Sequence, residues 1–291
     1  MKMKFLITGG TGFIGRNIIK TLEQNNHEYI ILSRKKATQK STINNLNEIK
    51  NDEKIDFIIN LAGSKIDQNW NPKTKEEIIK SRVNITNEVV KLIERLKTKP
   101  KLLISGSAIG YYNNESKKEL DESSPEGKGF ASQVCKKWEE EAKKTSIRLC
   151  IIRLGVVLGK NEGFLKKITL PFKLGLGGIL GTGNQFFPWI HIKDVVNGIM
   201  HLVSNNKSEE TYNFVSEEII TNKIFTKTLG KIIKRPTFFK IPSIIIKLIF
   251  GKMGEELILK GSKIKPTKLK NEGFKFEYKT IKSAVKNIFS A

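Results

Sequence analysis

The decapeptide at positions 6–15, LITGGTGFIG, constrains this chain more than any other stretch. An apolar run, KFLIT at 4–8, leads straight into Gly9, Gly12 and Gly15, and a helical pattern follows. Each glycine meets a different steric demand. The first permits a tight turn, the second lets the backbone approach a pyrophosphate, and the third lets the helix pack close to the sheet. The helix N-terminus then offers free N–H groups to phosphates. Gly9, Thr11, Gly12, Phe13, Ile14 and Gly15 are therefore the candidate dinucleotide cradle.

The rest of the first half alternates apolar runs with helical stretches. Strands are expected at 4–8, 29–33, 56–63, 101–108 and 149–159, with a late one at 211–216. Helices are expected at 17–26, 75–97 and 221–236, and within GFASQVCKKWEEEA at 129–142. Near-continuous apolar strands between helices indicate a parallel sheet covered on both faces. From about residue 160 the character changes. A glycine-rich loop, LGLGGILGTGNQ at 174–185, is spaced too loosely to hold phosphate, and the last fifty residues read as helical. The expected architecture is α/β: a Rossmann doubly wound parallel sheet with a smaller, mainly helical C-terminal substrate lobe. Residues 1–160 and about 186–220 are assigned to the first part, and 161–185 and 221–291 to the second.

The second strand ends in ILSRKK at 31–36. A site that prefers NAD usually carries an acid there for the ribose hydroxyls. Ser33, Arg34 and Lys35 instead suit a 2′-phosphate, so NADP(H) is favoured over NAD(H).

The formal net charge of +23 is carried mostly by lysine, 45 of 52 basic residues. Nucleic-acid grooves lean on arginine forks, so this excess reads as a solvated surface. It is nonetheless uneven: residues 223–240 hold six basic side chains and no acid. Nucleic acid and membrane are not the expected partners; a small-molecule substrate is, on a monomer or homodimer. The most apolar segment, IPSIIIKLIFG at 241–251, is too short to span a bilayer and is interrupted by Pro242 and Lys247. Cys135 and Cys150 have no metal-binding spacing and suit a reducing cytosol. The N-terminus enters a strand directly, so no signal peptide is expected and a cytoplasmic location is.

Several motifs together resemble an extended short-chain dehydrogenase/reductase: TGGTGFIG at 8–15, NLAG at 60–63, SRVNIT at 81–86, SGSAIGYY at 105–112 and PWIHIKDV at 188–195. RLGVVLG at 153–159, PFKLGLGG at 171–178 and the tail NEGFKFEY at 271–278 narrow the likeness. They are similar to the atypical branch of NAD-dependent epimerase/dehydratase proteins, which has its own C-terminal domain of unknown function. The likeness covers essentially the whole chain. It implies that Leu61, Ala62 and Gly63 line the cofactor path, that Asn84 and Thr86 match the Asn-x-Thr pattern, and that Ser107 is the active-site hydroxyl. One departure concerns residues 34–55, where the family fits a further edge strand and this chain has a reduced one or none.

The superfamily's chemistry uses Tyr-x-x-x-Lys on one helix, four residues placing both side chains on one face. In the register set by Trp138 and Glu139, those positions hold Ala131 and Cys135. No tyrosine occurs between Tyr112 and Tyr212, so the departure does not depend on register. An enzyme would then draw on Ser107, Tyr111 or Tyr112, with Arg153, Gln185 and Trp189 as candidate substrate contacts. Arg153 either clamps an anion or pairs with an internal acid. Cys135 and Trp138 read as core, His191 as a structural junction, and Asp194 as the cap of the helix after it. Two functions stay in play: a reductase or epimerase-like enzyme on a small molecule, and a catalytically silent nucleotide-binding regulator, as relatives linked to cell division suggest.

Overall fold

The computed structural model describes residues 2–34 and 41–290. Its strands are β1 (Lys4–Thr8), β2 (Glu28–Leu32), β3 (Thr42–Ile43), β4 (Phe57–Asn60), β5 (Leu102–Ala108), β6 (Glu119–Leu120), β7 (Leu149–Leu154), β8 (Val156–Leu158), β9 (Ile179–Leu180), β10 (Trp189–His191), β11 (Glu210–Phe214), β12 (Lys240–Ile241) and β13 (Lys263–Ile264). Its helices are α1 (Phe13–Gln24), α2 (Pro72–Arg95), α3 (Phe130–Ala142), α4 (Gly163–Lys173), α5 (Ile192–Ser204), α6 (Asn222–Ile232), α7 (Ser243–Leu257), α8 (Thr267–Asn271) and α9 (Ile281–Ser290).

Seven strands form one sheet in the order β11, β7, β5, β4, β1, β2, β3, with every adjacent pair parallel. This is the expected doubly wound Rossmann arrangement. Alternation along the strands divides the core. Phe5, Ile7, Phe57 and Ile59 face Ile18 and Leu22 of α1 and Val195 and Ile199 of α5. Leu6, Ile58 and Leu103 face Val89, Leu92 and Ile93 of α2. Successive residues thus point to opposite apolar layers, which is why the strands carry no polar alternation. Chain order reverses between β1 and β4, and a crevice opens there above the strand ends.

One expectation about strands is corrected. The apolar run 149–159 is not one strand. At Gly155 the ladder changes partner: its N–H reaches the Phe214 carbonyl at 3.0 Å, and the Val156 N–H reaches the Pro188 carbonyl at 2.9 Å. β8 therefore leaves the sheet and pairs with β10. Among the described residues of 34–55 the edge strand is the reduced β3, with Thr42 and Ile43 opposite Ile31 and Leu32.

The tail folds back onto the half that carries the large sheet. Glu272, just past α8, accepts from the Tyr212 hydroxyl at 2.5 Å and from the Asn205 amide at 3.1 Å. The Asp194 carboxylate accepts the N–H groups of Glu277 and Tyr278 at 2.7 and 3.1 Å. Asp194 is therefore not the cap of α5, as the sequence suggested. His191 is: its Nδ1 accepts from the Lys193 N–H at 3.2 Å. Burial depresses the pKa of His191 to about 4, so its ring stays neutral and can accept that bond.

Candidate functional site

The glycine loop closes over the end of β1. Gly9 has φ +73°, and a Cβ there would lie 2.9 Å from the Leu61 carbonyl. A Cβ on Gly15 would lie 2.4 Å from the Gly9 oxygen, so only glycine lets α1 start this close to the sheet. Thr11 and Gly12 are exposed, and Phe13 and Ile14 are half-buried. The N-cap of α1, Gly12, makes no side-chain hydrogen bond, and no acid stands in the first turn. The backbone N–H groups there meet neither cap nor carboxylate, which is the environment an anionic group takes up. A pyrophosphate thus fits the residues present. At the end of β2, Ser33 is buried and its carbonyl accepts from the Asn44 amide at 2.7 Å. Arg34 is exposed beside it. Lys35 lies outside the described residues.

The end of β4 is fixed by a buried polar chain. The Thr8 hydroxyl donates to Asn60 Oδ1 at 2.6 Å, and Asn60 Nδ2 donates to the Thr86 hydroxyl at 2.8 Å. The Trp138 indole donates to that same Thr86 oxygen at 3.1 Å. β1, β4, α2 and α3 are thereby locked in one register, with Leu61 and Ala62 half-buried and Gly63 exposed at the crevice. Asn84 is exposed, two positions from buried Thr86 and so on the opposite face of α2. The resemblance also implies a cofactor contact for Asn84, and its place on that face sets it apart from Thr86 and Arg82.

Arg82 occupies the place above Gly63. It donates to the carbonyls of Ile78 and Ser64 at 2.9 and 3.0 Å and lies 5.2 Å over the Trp138 ring. Among the described residues it has no carboxylate in ion-pair range, and burial lowers its pKa. A half-buried guanidinium held by carbonyls and an aromatic face, with no carboxylate among the described residues, suits an incoming polar or anionic group. The sequence reading passed over this residue. Its signal was helical periodicity, because position 82 shares a face with Ile78, Thr86, Val89 and Ile93.

Beyond β4, the strand ends carry a closed network. The Ser107 hydroxyl donates to Glu139 Oε1 at 2.6 Å. Arg153 binds the same carboxylate through Nε and Nη2, both at 2.8 Å, and reaches the Tyr112 hydroxyl through Nη1 at 2.8 Å. Tyr112 in turn donates to Asn213 Oδ1 at 2.8 Å. The Arg153 guanidinium lies 3.4 Å from the Tyr111 ring centre. Burial alone would lower the Arg153 pKa, but Glu139 and Tyr112 outweigh it, so the net shift is upward. Arg153 therefore pairs with an internal acid and does not stand as an anion clamp. Burial pushes Tyr112 up to about 12, and it is 1 % exposed. Its proton is committed to Asn213, so it is a member of the network and not a donor facing the crevice. Tyr111 is half-buried over the guanidinium.

Helix α3, which carries positions 131 and 135, packs against β5 and α2. Ala131 and Cys135 are buried on its inner face. Cys135 donates to the Ala108 carbonyl at 3.5 Å, and burial pushes its thiol up to about 11, which leaves it unreactive. The α3 N-terminus is satisfied from elsewhere in the chain. Glu256 of α7 accepts the N–H groups of Phe130 and Ala131 at 3.4 and 3.2 Å. An open cavity of about 410 Å³ lies beside it, lined by Gly110, Gly129, Ala131, Glu256 and Lys260 among others.

Two further candidates fall away from the crevice. Trp189 is fully buried in the apolar cluster of Phe172, Phe225, Leu229 and Val285. Gln185 is structural: its amide donates to the carbonyls of Leu180 and Ile258 at 3.0 and 3.2 Å, pinning the glycine-rich loop to the end of α7.

Known proteins match this arrangement along the whole chain. The family model of the NAD dependent epimerase/dehydratase family matches residues 5–214, and that of a domain of unknown function (DUF1731) matches 241–288. Epimerase family protein SDR39U1 of Homo sapiens is 34% identical over 98% of this chain and 99% of its own length. The chloroplastic homologue of that protein in Arabidopsis thaliana is also 34% identical, over 99% of this chain and 87% of its own. A crystal structure of the human protein with NADPH superposes with a TM-score of 0.93, at 33% identity and 99% coverage of both chains. A nucleoside-diphosphate sugar epimerase from Corynebacterium glutamicum superposes at 0.81, with 26% identity, covering 99% of this chain and 58% of its own. With a family model spanning most of the sheet and relatives aligned end to end, this chain belongs to the NAD-dependent epimerase/dehydratase family.

Proposed function

We propose that this protein binds NADP(H) and acts as an atypical short-chain reductase or epimerase-like enzyme on a small molecule. The uncapped, acid-free start of α1 behind its glycine turn carries the cofactor reading. Exposed Arg34 at the end of β2 supports a 2′-phosphate there, and the human relative crystallised with NADPH points the same way. When bound, the cofactor supplies hydride chemistry. The chain's own residues hold it: the loop 9–15 at the pyrophosphate, Ser33, Arg34 and Lys35 at the adenosine side, and Leu61, Ala62 and Gly63 along the path. Arg82 adds a cation beside Gly63.

Ser107 is the proposed substrate contact. Its only proton is given to Glu139, so its oxygen presents lone pairs and receives a substrate hydroxyl or N–H. Tyr111 remains the candidate proton carrier. A second reading, a catalytically silent nucleotide-binding regulator, is favoured by Ala131 and Cys135, which put apolar or inert groups where the couple would act.

Fluorescence titration with NADPH and NADH tests the shared step. NADPH should bind about tenfold or more tighter, and Arg34→Ala should remove that preference while sparing NADH. Equal affinities in the wild-type chain would overturn the proposal. Consumption of NADPH with a library of carbonyl compounds separates the two readings: turnover lost in Ser107→Ala supports the enzyme, and none with any compound supports the regulator.

A further inference from the structure

We infer that the face built by the end of α4, the segment 235–241 and the first half of α7 docks on an anionic lipid surface. Single exposed apolar side chains are ordinary, but a contiguous group of large ones marks an interaction site. Here Leu170, Leu174, Phe238, Phe239, Leu248 and Ile249 are all exposed, with Phe238 at 88% and Leu248 at 80%.

These residues are brought together by the fold. Leu170 and Leu174 are one turn apart at the end of α4. The Arg235 Nε donates to the Lys173 carbonyl at 2.7 Å, which ties segment 235–241 to that end. The Ile179 N–H donates to the Phe239 carbonyl at 2.9 Å, and β12 pairs with β9 immediately after it. α7 begins two residues later. Its Ile244 and Leu248, and its Ile245 and Ile249, form adjacent rows one turn apart on the exposed side, while Ile246 points into the protein.

The charge around the face selects the occupant. Residues 219–254 contain eight basic side chains and no acid. Lys231, Lys234, Arg235, Lys240, Lys247 and Lys252 are exposed. The neighbouring acids face elsewhere or are matched: Glu255 pairs with Lys247 at 3.3 Å, and Glu256 caps α3. A second copy would bring the same lysine rim against itself in a chain of net charge +23, which opposes self-association through this face. A bilayer with anionic headgroups satisfies both properties at once. The aliphatic and aromatic side chains enter the acyl boundary, and the lysines meet the headgroup charge. No helix among the described residues is long and apolar enough to cross a membrane, so the contact is with the surface. It reinstates a lipid partner that the sequence reading set aside.

Sedimentation of the full chain with vesicles tests this. Phosphatidylcholine vesicles containing phosphatidylserine should pellet the protein at low ionic strength, and pure phosphatidylcholine vesicles should not. The double variant Phe238→Ser/Leu248→Ser should weaken partitioning by about tenfold or more. Lys240→Glu/Lys247→Glu should do the same and abolish the salt dependence. All four positions are exposed, so unchanged thermal unfolding serves as the folding control. No pelleting with anionic vesicles would overturn the inference. So would pelleting indifferent to both variants, or a wild-type dimer in light scattering that the Phe238→Ser/Leu248→Ser variant splits.

Discussion

The glycine loop and the Ser107–Arg153 network stand at the ends of strands in one sheet, with β4 between them, yet they are built on opposite principles. At the loop, the helix start carries no side-chain cap and no acid, and side chains are removed so that the backbone can come close. At the network, every polar atom described is matched: Ser107 with Glu139, Glu139 with Arg153, Arg153 with Tyr112, and Tyr112 with Asn213. The first region is shaped for something that arrives; the second is matched from within, and only the Ser107 oxygen keeps lone pairs to offer. A buried ion pair of that kind gains little net stability when intact but is costly to break on one side.

The contrast assigns most of the stability to the network and the proposed cofactor contact to the loop. Its strongest test is Arg153→Met, which leaves the Glu139 carboxylate buried and unpaired. Denaturant unfolding should show a loss of about 3–5 kcal/mol, whereas Arg34→Ala should stay within about 0.5 kcal/mol of wild type. Gly15→Val should do the reverse. Displacing the loop from the Gly9 carbonyl should weaken NADPH binding by about 100-fold, while the core network keeps its geometry. Tyr112→Phe is smaller, at about 1–2 kcal/mol of stability for two lost buried hydrogen bonds, with no change in cofactor affinity. An affinity loss in Tyr112→Phe would mean that the two regions are coupled.

A gentler probe is pH. His191 has its pKa depressed from 6.5 to about 4, so the folded state holds it neutral while an unfolded chain takes up a proton below about 6.5. The stability from this cap is complete above that pH and is lost progressively as pH falls towards 4. A scan of thermal unfolding from pH 7 to 5 should slope downward, and His191→Asn should flatten that slope.

The two regions also differ in how far the sequence disclosed them. The loop was legible because its demands are local: a strand, a turn and a helix start within ten residues, and each glycine has a steric reason. The network was not, because its members come from β5, α3, β7 and β11 and meet only after the sheet forms. Arg153 therefore looked equally suited to a ligand or an internal acid. Trp189 and Gln185 misled for a related reason, since an aromatic or amide near a glycine-rich loop carries no mark of which way it faces. Asp194 followed the local capping rule, and the rule lost to a partner 83 residues away. The missing Tyr-x-x-x-Lys couple was readable from the sequence alone, because no tyrosine stands between Tyr112 and Tyr212 and that absence needs no geometry.

Glu256, Glu272 and the backbone of Glu277 and Tyr278 all bind groups in the first three-quarters of the chain: the start of α3, Tyr212 in β11 and the start of α5. The C-terminal segment is thus less an accessory module than a strap fastened at three buckles. Such a strap cannot be exchanged between relatives as a cassette unless its three receiving sites travel with it. A chimaera that swaps residues 241–288 alone should fail at those buckles first, with α3 fraying from Phe130.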